Sequence, residues 1–243
     1  MIIEKNSILY NLPKELGIKD LLILDSIRFT IELIDLNYSL LLKELENVSQ
    51  NFSTSDNKYE KNLIPIFNSC WSIIDNTQRL QKQYRLLPSN DNHNLVHDLS
   101  IITPLRNTFQ HMDERIEECL IEGEMPFYGV ISWEIKLNEG SMMNKFFAIS
   151  GLYVPRGKLA FKVVKKEIPV NEIMDVRLST FVKEGKKPDF EFVKKEICIS
   201  DLFAKIKSII EKFESNLNNQ FIKQNVTNTD WIKLRDVLLK VEF

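Results

Sequence analysis

The sequence contains little cysteine, glycine, proline or histidine. Its three cysteines, Cys70, Cys119 and Cys198, lie far apart in unrelated contexts, which argues against a disulfide framework and against a CxxC metal or redox motif. Seven glycines leave little material for phosphate loops, nucleophile elbows or dinucleotide fingerprints, so nucleotide hydrolases and Rossmann enzymes are not expected. This use of cysteine favours the cytoplasm.

A long uninterrupted apolar run is also missing. The longest apolar region, residues 21–42, contains Asp25, Arg28, Glu32 and Asp35. Charges at the centre of a bilayer are costly, so the region is not expected to span a membrane. The N-terminus lacks the basic region, apolar run and cleavage site of a signal peptide. The sequence therefore predicts neither membrane association nor secretion.

The remaining composition is that of an ordinary globular protein, with 243 residues, 44% of them hydrophobic and 27% charged. Its net charge of −2 conceals a split between the two halves of the chain. Residues 1–123 hold 12 Lys and Arg against 18 Asp and Glu, whereas residues 124–243 hold 20 against 16. The second half would therefore be the better landing surface for nucleic acid.

Two lysine clusters supply this positive charge. Solvated strand edges, which commonly carry lysine, are the preferred interpretation of these clusters, and nucleic-acid contact is the alternative. The clusters comprise Lys158, Lys162, Lys165 and Lys166, and Lys183, Lys186, Lys187, Lys194 and Lys195.

Apolar stripes with the period of a helix run through the first half. They predict a first helix over about Lys19 to Val48, a second over about Tyr59 to Leu87 despite Pro65 near its start, and a third helical segment from Leu95 to Leu120. The first stripe is broad enough to contact more than one neighbour. Three residues of the third segment are expected to enter the core: Phe109, Met112 and Ile116.

From about Phe127 the period becomes closer to two, which predicts strands. Short turns join antiparallel neighbours, so the simplest sheet is a meander. Ser200 and Asp201 are expected to cap a helix from Leu202 to about Asn216, and Thr229-Asp230 a short one near Trp231 to Lys240. The five predicted strands lie near residues 127–137, 145–154, 158–166, 174–182 and 190–199, and a turn is predicted at 183–188.

The predicted fold class is α+β. A helical bundle is expected at residues 1–123, an antiparallel β-sheet region of about five strands at 124–199, and C-terminal helices that pack back on the bundle at 200–243. The sheet is either inserted in the bundle or appended to it. Insertion is favoured because three helices alone leave one broad face of the first unaccounted for.

The most informative short motif is the run from Arg106 to His111, RNTFQH. Arginine is a fixed cation whose planar fork suits phosphate oxygens, and histidine transfers protons near neutrality. Thr103 before Pro104 is typical of an N-cap followed by proline at the first helical position. This predicts Arg106 in the first turn of a new helix, where free backbone amides attract anions.

Ideal helical spacing separates Arg106 and His111 by about 140°, so the two side chains do not share one face. Asn107 and His111 do share a face because they are four residues apart. That face points away from the apolar stripe. The spacing therefore predicts an exposed His111 beside Asn107.

An arginine, an adjacent amide and a histidine four to six residues after the arginine, late in a set of amphipathic helices, resemble the signature of HEPN domains (higher eukaryotes and prokaryotes nucleotide-binding). The second helix also resembles uncharacterised bacterial members of this type. The resemblance covers the helical first half and not the sheet. It implies a helical bundle, metal-independent RNA cleavage in toxin, defence or RNA-processing systems, and a homodimer with one composite cleft. The matching residues of the second helix are Trp71, Ser72, Ile73, Ile74, Asp75 and Arg79.

By that resemblance Arg106 would bind the scissile phosphate, His111 would act as general acid or base, and Asn107 would orient the histidine or contact RNA. Attack by the RNA 2′-hydroxyl would leave a cyclic phosphate, without a metal or other cofactor. In a dimer, Arg106 of one chain could meet His111 of the other. The implied partners are RNA, a second copy of the chain, and an antitoxin or other protein.

Two other interpretations stay open. One is a non-catalytic HEPN-like module that binds a nucleotide, RNA or a protein, and the other is a scaffold whose helices dimerise. The acidic Asp113, Glu114, Glu117 and Glu118 favour the first of these, because they would repel a polyanion near His111.

Three further features have a purely structural interpretation as well as a functional one. His93 and His97 are spaced like metal ligands, but without a third ligand they are interpreted as surface histidines. A group of aromatic residues is assigned to the core or the strand pairing of the sheet rather than to base stacking. A polar ridge on the second helix either supports the motif or is simply solvated. The aromatic residues are Phe146, Phe147, Tyr153 and Phe161, and the ridge is Ser72, Asp75, Asn76 and Arg79.

Overall fold

The computed structural model describes residues 1–50, 62–87, 99–114, 126–136, 143–151, 172–186, 189–224 and 231–233, with the single positions 97, 116 and 240. Over these residues the predicted α+β class is confirmed, with helices and a four-stranded antiparallel sheet. In the same part of the chain, no helix combines the length and apolar character needed to cross a bilayer.

The regular elements are numbered here in chain order. The helices are α1 (Ile18–Gln50), α2 (Ile64–Tyr84), α3 (Ile102–Gln110) and α4 (Ile199–Lys223), and a 3₁₀ turn covers Ile8–Tyr10. The strands are β1 (Asn11–Pro13), β2 (Val130–Lys136), β3 (Met143–Ile149), β4 (Glu172–Lys186), β5 (Asp189–Cys198) and β6 (Trp231–Lys233).

Helices α1 and α2 form where their apolar stripes predict them, and they pack against each other along their length. Pro65 lies in the first turn of α2. A backbone N–H in the first turn has no intrahelical acceptor, so the helix loses no hydrogen bond when proline stands there.

Helix α3 begins earlier than predicted. Ile101 occupies its cap position without a side-chain hydrogen bond, so the prediction that Thr103 caps this helix is wrong. Pro104 instead lies inside the first turn, where backbone N–H groups lack intrahelical partners in any case. Arg106 is consequently two residues, about half a turn, further from the start of the helix than the predicted anion site requires.

The predicted continuous stripe from Leu95 to Leu120 is interrupted at His111. This residue leaves helical geometry, with φ −104° and ψ 49°, before residues 112–114 become helical again. After such a break, the three- and four-residue spacing no longer places the following residues on the apolar side of α3. Ile116 is therefore exposed rather than buried in the core.

The main sheet has the strand order β3-β2-β4-β5, and all its neighbours are antiparallel. The predicted meander is wrong in one step, because β4 pairs with β2 instead of following β3. The 22 residues between Ile149 and Glu172 are enough to cross from one side of β2 to the other, which a short turn could not do. The predicted strand at 158–166 lies outside the described residues.

Most of the turn predicted at 183–188 is strand. Strand β4 continues to Lys186, and β5 begins at Asp189. A two-residue connection is sufficient for antiparallel neighbours, so the pairing extends almost to the tip. Strand β2 pairs with β4 only as far as Ser179. The rest of β4 pairs with β5 as a two-stranded arm.

The C-terminal elements also differ from prediction. Helix α4 begins at Ile199, and the sulfur of Cys198 accepts a hydrogen bond at 3.4 Å from the backbone N–H of Asp201, so Ser200 and Asp201 lie inside the helix. The helix predicted near Trp231 to Lys240 is wrong over residues 231–233, and residues 234–239 lie outside the described residues. Trp231–Lys233 pairs antiparallel with Asn11–Pro13, since an available partner strand overrides a weak local helix preference.

Helices and sheet contribute to one apolar core. The indole of Trp133 on β2 donates a hydrogen bond to Ser49 Oγ of α1 at 2.9 Å. Helix α4 packs on the other helices through aromatic pairs, with ring centroids 3.9 Å apart for Tyr38 and Phe203. The inner face of the sheet contributes Ile131, Trp133, Ile135, Ala148, Val176, Leu178, Val182 and Ile197.

The N-terminal segment is joined to α4 by a hydrogen bond from the Ser7 hydroxyl to Glu214. Burial raises the pKa of Glu214, the Ser7 hydrogen bond lowers it, and repulsion from Glu211 and Glu4 raises it further. The net direction is upward from the ordinary value of 4.5. Folding therefore favours the protonated carboxyl.

We expect Glu214→Gln to stabilise the protein near neutral pH and to leave its stability unchanged in acid. A carboxyl whose pKa is raised by folding contributes stability below its unfolded pKa, and that contribution is lost as the pH rises through the folded pKa. Urea unfolding at about pH 4 and about pH 8 measures this difference. The exposed Glu191→Gln should follow the wild type, and a difference between wild type and Glu214→Gln that is the same at both pH values would contradict the assignment.

Candidate functional site

The guanidinium of Arg106 is directed at helix α2. Its Nε donates to Oδ1 of Asp75 at 3.3 Å, and each side chain is 23% exposed. Gln110 Nε2 donates to the same oxygen at 3.1 Å, while Arg79 pairs with Oδ2 at 2.8 Å. Asp75 therefore joins α3 to α2, and it neutralises the arginine that the sequence assigns to phosphate.

Two aromatic side chains fix the same pair of helices. The rings of Trp71 and Phe109 stack with centroids 4.5 Å apart and planes 9° from parallel. The indole N–H of Trp71 donates to the carbonyl of Tyr128 at 3.2 Å. Arg106 and Gln110 thus flank an apolar contact, and their bonds to Asp75 hold α3 against α2. We call Asp75 with its donors Arg106, Gln110 and Arg79 the Asp75 clamp.

His111 and Asn107 lie together at the exposed end of α3. The backbone N–H of His111 donates to the carbonyl of Asn107 at 3.1 Å. The imidazole is 61% exposed, with Nδ1 3.6 Å from a carboxylate oxygen of Glu114. The predicted exposure of His111 is confirmed, and Asn107 is exposed as well, but Arg106 is directed toward α2.

The polar ridge predicted on α2 is only partly a surface feature. Asp75 and Arg79 form it, whereas Asn76 is buried and donates to the carbonyl of Ser72 at 2.9 Å.

The neighbour of the His111 imidazole is a carboxylate, that of Glu114, which is as exposed as His111 itself. The surroundings of the imidazole in one chain are therefore acidic rather than basic.

A second constellation, absent from the sequence interpretation, lies on the outer face of the sheet. A cleft of about 230 Å³ opens there across all four strands. Phe147 is 65% exposed, and the ammonium of Lys145 lies 5.9 Å from its ring centroid. The cleft is lined by Pro126, Gly129, Val130, Ser132, Lys145, Phe147, Ser179, Thr180, Phe181, Lys194 and Glu196.

The carboxylates beside this cleft are held by Arg177. Its Nη1 donates to Glu196 Oε1 at 2.8 Å, and its Nε donates to Asp175 Oδ2 at 2.7 Å. The Ser179 hydroxyl donates to the second oxygen of Glu196. The hydrogen bond from Arg177 is the main reason that the pKa of each carboxyl lies below its ordinary value. Both stay ionised, and Arg177 offsets part of their charge.

Two backbone features shape the cleft. Asp175 has φ 51° at the bulge where the pairing of β2 with β4 shifts, a conformation that a non-glycine residue adopts only with support. Gly129 has φ +87°, and a Cβ there would lie 2.7 Å from the carbonyl oxygen of Ser179. Glycine is thus required at the rim, because any side chain would push β4 away.

The sequence assigned Phe146 and Phe147 to the core or the pairing of the sheet, and the two residues divide between these roles: Phe146 packs against the core, whereas Phe147 pairs with Ser132 and is exposed. Phe146 stacks on Trp133 with centroids 5.3 Å apart. Adjacent strand residues point to opposite faces, so a Phe146 that packs inward requires an outward Phe147. That alternation was the available signal. Tyr153 and Phe161 lie outside the described residues.

Comparison of the chain with protein-family models, with curated proteins and with solved structures gives no match. The HEPN resemblance therefore stays a prediction. Across the described ranges, no three His, Cys, Asp or Glu side chains are grouped as metal ligands would be.

We expect Asp75→Asn to destabilise the protein by about 1–2 kcal/mol, between the values for an exposed ion pair and for a hydrogen bond to a charged group. Hydrogen exchange of α3 amides should accelerate, because the shared acceptor of Arg106 and Gln110 becomes a neutral amide oxygen, which binds a guanidinium less strongly than a carboxylate does. Urea unfolding measures the free energy. The exposed Glu114→Gln should change neither quantity, and an unchanged exchange rate in Asp75→Asn would show that the clamp does not hold α3.

Proposed function

We propose that the protein is a cytoplasmic RNA-binding protein that holds single-stranded RNA on the outer face of its sheet. The observation that carries this proposal is the exposed ring of Phe147 with Lys145 beside it, at the edge of a cleft. Proteins bind single strands by stacking bases on aromatic rings and by following the phosphates with basic side chains. Both components are present within a few residues of one another.

The dimensions of the cleft suit a single planar group. Its volume of about 230 Å³ is below the roughly 300–1,000 Å³ that is usual for drug-sized ligands. Phe181 forms another wall, and Ser132 and Ser179 bring hydroxyl groups to the lining. A base stacked on Phe147 could extend its polar edge toward these hydroxyls.

The charges on this face are balanced, since Lys145, Lys194 and Arg177 lie with Glu134, Asp175 and Glu196, so any phosphate contact depends on the two lysines. Lys145 and Lys194 are exposed on this face, although Lys145 is also 3.3 Å from Glu134. Arg177 offsets part of the charge of the neighbouring carboxylates. Two lysines imply about two phosphate contacts, so binding should be weak and sensitive to salt.

We expect Phe147→Ala to weaken the binding of a single-stranded oligoribonucleotide by about 5-fold to 150-fold, which corresponds to about 1–3 kcal/mol for one stacked base. Fluorescence anisotropy with a labelled strand measures the affinity. Ile222→Ala removes a similarly exposed apolar side chain from α4 and should bind like the wild type. Equal affinity of the wild type and Phe147→Ala would reject the stacking role.

The salt dependence gives a second readout of the same proposal. Two phosphate contacts predict a slope of about −1.4 for log K against log salt concentration, and Lys194→Gln should reduce its magnitude by about 0.7. Lys212→Gln removes the same charge from an exposed position on α4 and should leave the slope unchanged.

The second candidate function is metal-independent RNA cleavage at a composite site formed by two chains, in a toxin or defence setting. The exposure of both Asn107 and His111 favours it, since both side chains are accessible to RNA or to a second chain. Its requirement is that Arg106 exchanges Asp75 for a phosphate. The non-catalytic proposal ranks first because Arg106 is already paired.

Incubation with single-stranded and structured RNA in EDTA separates the two functions. Cleavage would be expected to fall at least about 100-fold in His111→Ala, which removes a general acid or base. The exposed Lys212→Gln on α4 serves as the control because it changes neither the imidazole nor its carboxylate neighbour. Binding without cleavage supports the first function, and cleavage that persists in both His111→Ala and Arg106→Ala would contradict the roles assigned to them.

A further inference from the structure

Helix α1 carries a row of apolar side chains on its solvent side. Ile18, Leu22, Phe29, Leu36 and Leu40 are 79, 65, 52, 55 and 42% exposed. At about 100° per residue these five positions fall within an arc of about 40°, and they extend over about 33 Å of helix. We call these five residues the α1 stripe.

The α1 stripe is not the edge of the core. The buried residues of α1 include Ile27, Ile34 and Leu45, which are centred about 160° around the helix from the stripe. The helix is therefore apolar on two opposite sides. Surface helices normally bury one apolar stripe and expose a polar face, so this arrangement indicates a second contact surface.

We infer that the α1 stripe binds a second copy of the chain, with the two α1 helices parallel about a two-fold axis. In such a contact each stripe residue meets its own counterpart, and a single self-complementary surface serves both chains. This proposal is independent of RNA binding, because the cleft lies on the outer face of the sheet and α1 packs toward its inner face.

The charges along the stripe select the occupant. Asp25 and Glu32 border one side of it, and both are already paired with Arg28 at 2.8 and 2.7 Å. Because two carboxylates share one guanidinium, the border keeps a net charge of −1, which is too small to require a basic partner but disfavours a second border like it. What remains to be satisfied is the apolar row, and a second α1 helix offers the same row.

The same charges select the orientation. In an antiparallel pair centred on Phe29, Asp25 of one chain would lie beside Glu32 of the other, at the same level and on the same side. In a parallel pair the acidic border instead faces the opposite edge of the second helix, which carries Ser26 and Leu33. Lys43 then lies level with Glu44 of the second copy, so opposite charges meet.

The size of the stripe sets the expected strength. A strip about 33 Å long and about 10 Å wide offers about 330 Å² per chain. That area is less than half of the roughly 800 Å² per partner in standard interfaces. The dimer should therefore be weak, forming and dissociating in the micromolar range.

Sedimentation of the full chain between about 1 and about 300 µM tests the contact. We expect the mass to rise from 28.5 kDa toward twice that value. Phe29→Glu and Leu36→Glu should each weaken dimerisation at least about 30-fold, as expected for a central apolar contact. Ile64→Glu changes an equally exposed residue of α2 and should dimerise like the wild type. A monomer at every concentration, or a dimer unaffected by both stripe variants, would overturn the inference.

Cysteine cross-linking tests the orientation. Leu22→Cys and Leu40→Cys should each form a disulfide with the same residue of the second copy, because a parallel pair brings both ends of the stripe to their counterparts. An antiparallel pair would place those two positions far from their counterparts. Cross-linking of Phe29→Cys alone would therefore overturn the parallel arrangement.

Discussion

Burial of the inner face of the sheet against α1 is the constraint on which the rest of the structure depends. Trp133 reaches α1 through Ser49, and the same core continues through α2 and α4. Adjacent residues of a strand point to opposite sides, so filling the inner face determines which side chains are displayed outside. The cleft is thus a consequence of core packing, because Phe147 is exposed as a result of Phe146 being used inside.

Charge has two distinct uses in this protein. Around Asp75 it joins two helices, and three donors on one carboxylate leave Arg106 engaged. On the sheet, Arg177 compensates carboxylates while Lys145 and Lys194 remain at the surface. The role of an arginine is therefore not determined by the short motif in which it lies. Its partner decides whether it is available to a ligand, and that partner lies 31 positions away along the chain.

The long helices could be predicted because their apolar stripes repeat over many turns, and the exposure of His111 followed from the same periodicity. The wrong predictions concern elements whose conformation depends on partners that are distant in the sequence. Trp231–Lys233 becomes a strand only because Asn11–Pro13 lies beside it, and β4 reaches β2 only by a long connection. The predicted start of α3 was wrong for a local reason, since the first turn of a helix tolerates proline at several positions. The Asp75 clamp joins two helices whose mutual packing the sequence did not determine.

Strand β4 continues past Ser179 with β5 as its partner, as a ribbon of two strands. Such ribbons coil more strongly than wide sheets, because fewer neighbours resist the right-handed twist of each strand. Lys183 and Phe192 are paired on this ribbon, on the same side as the cleft. Their surface therefore turns progressively away from that of Phe147, so an extended ligand leaving the cleft along the ribbon would follow a helical path rather than a straight one.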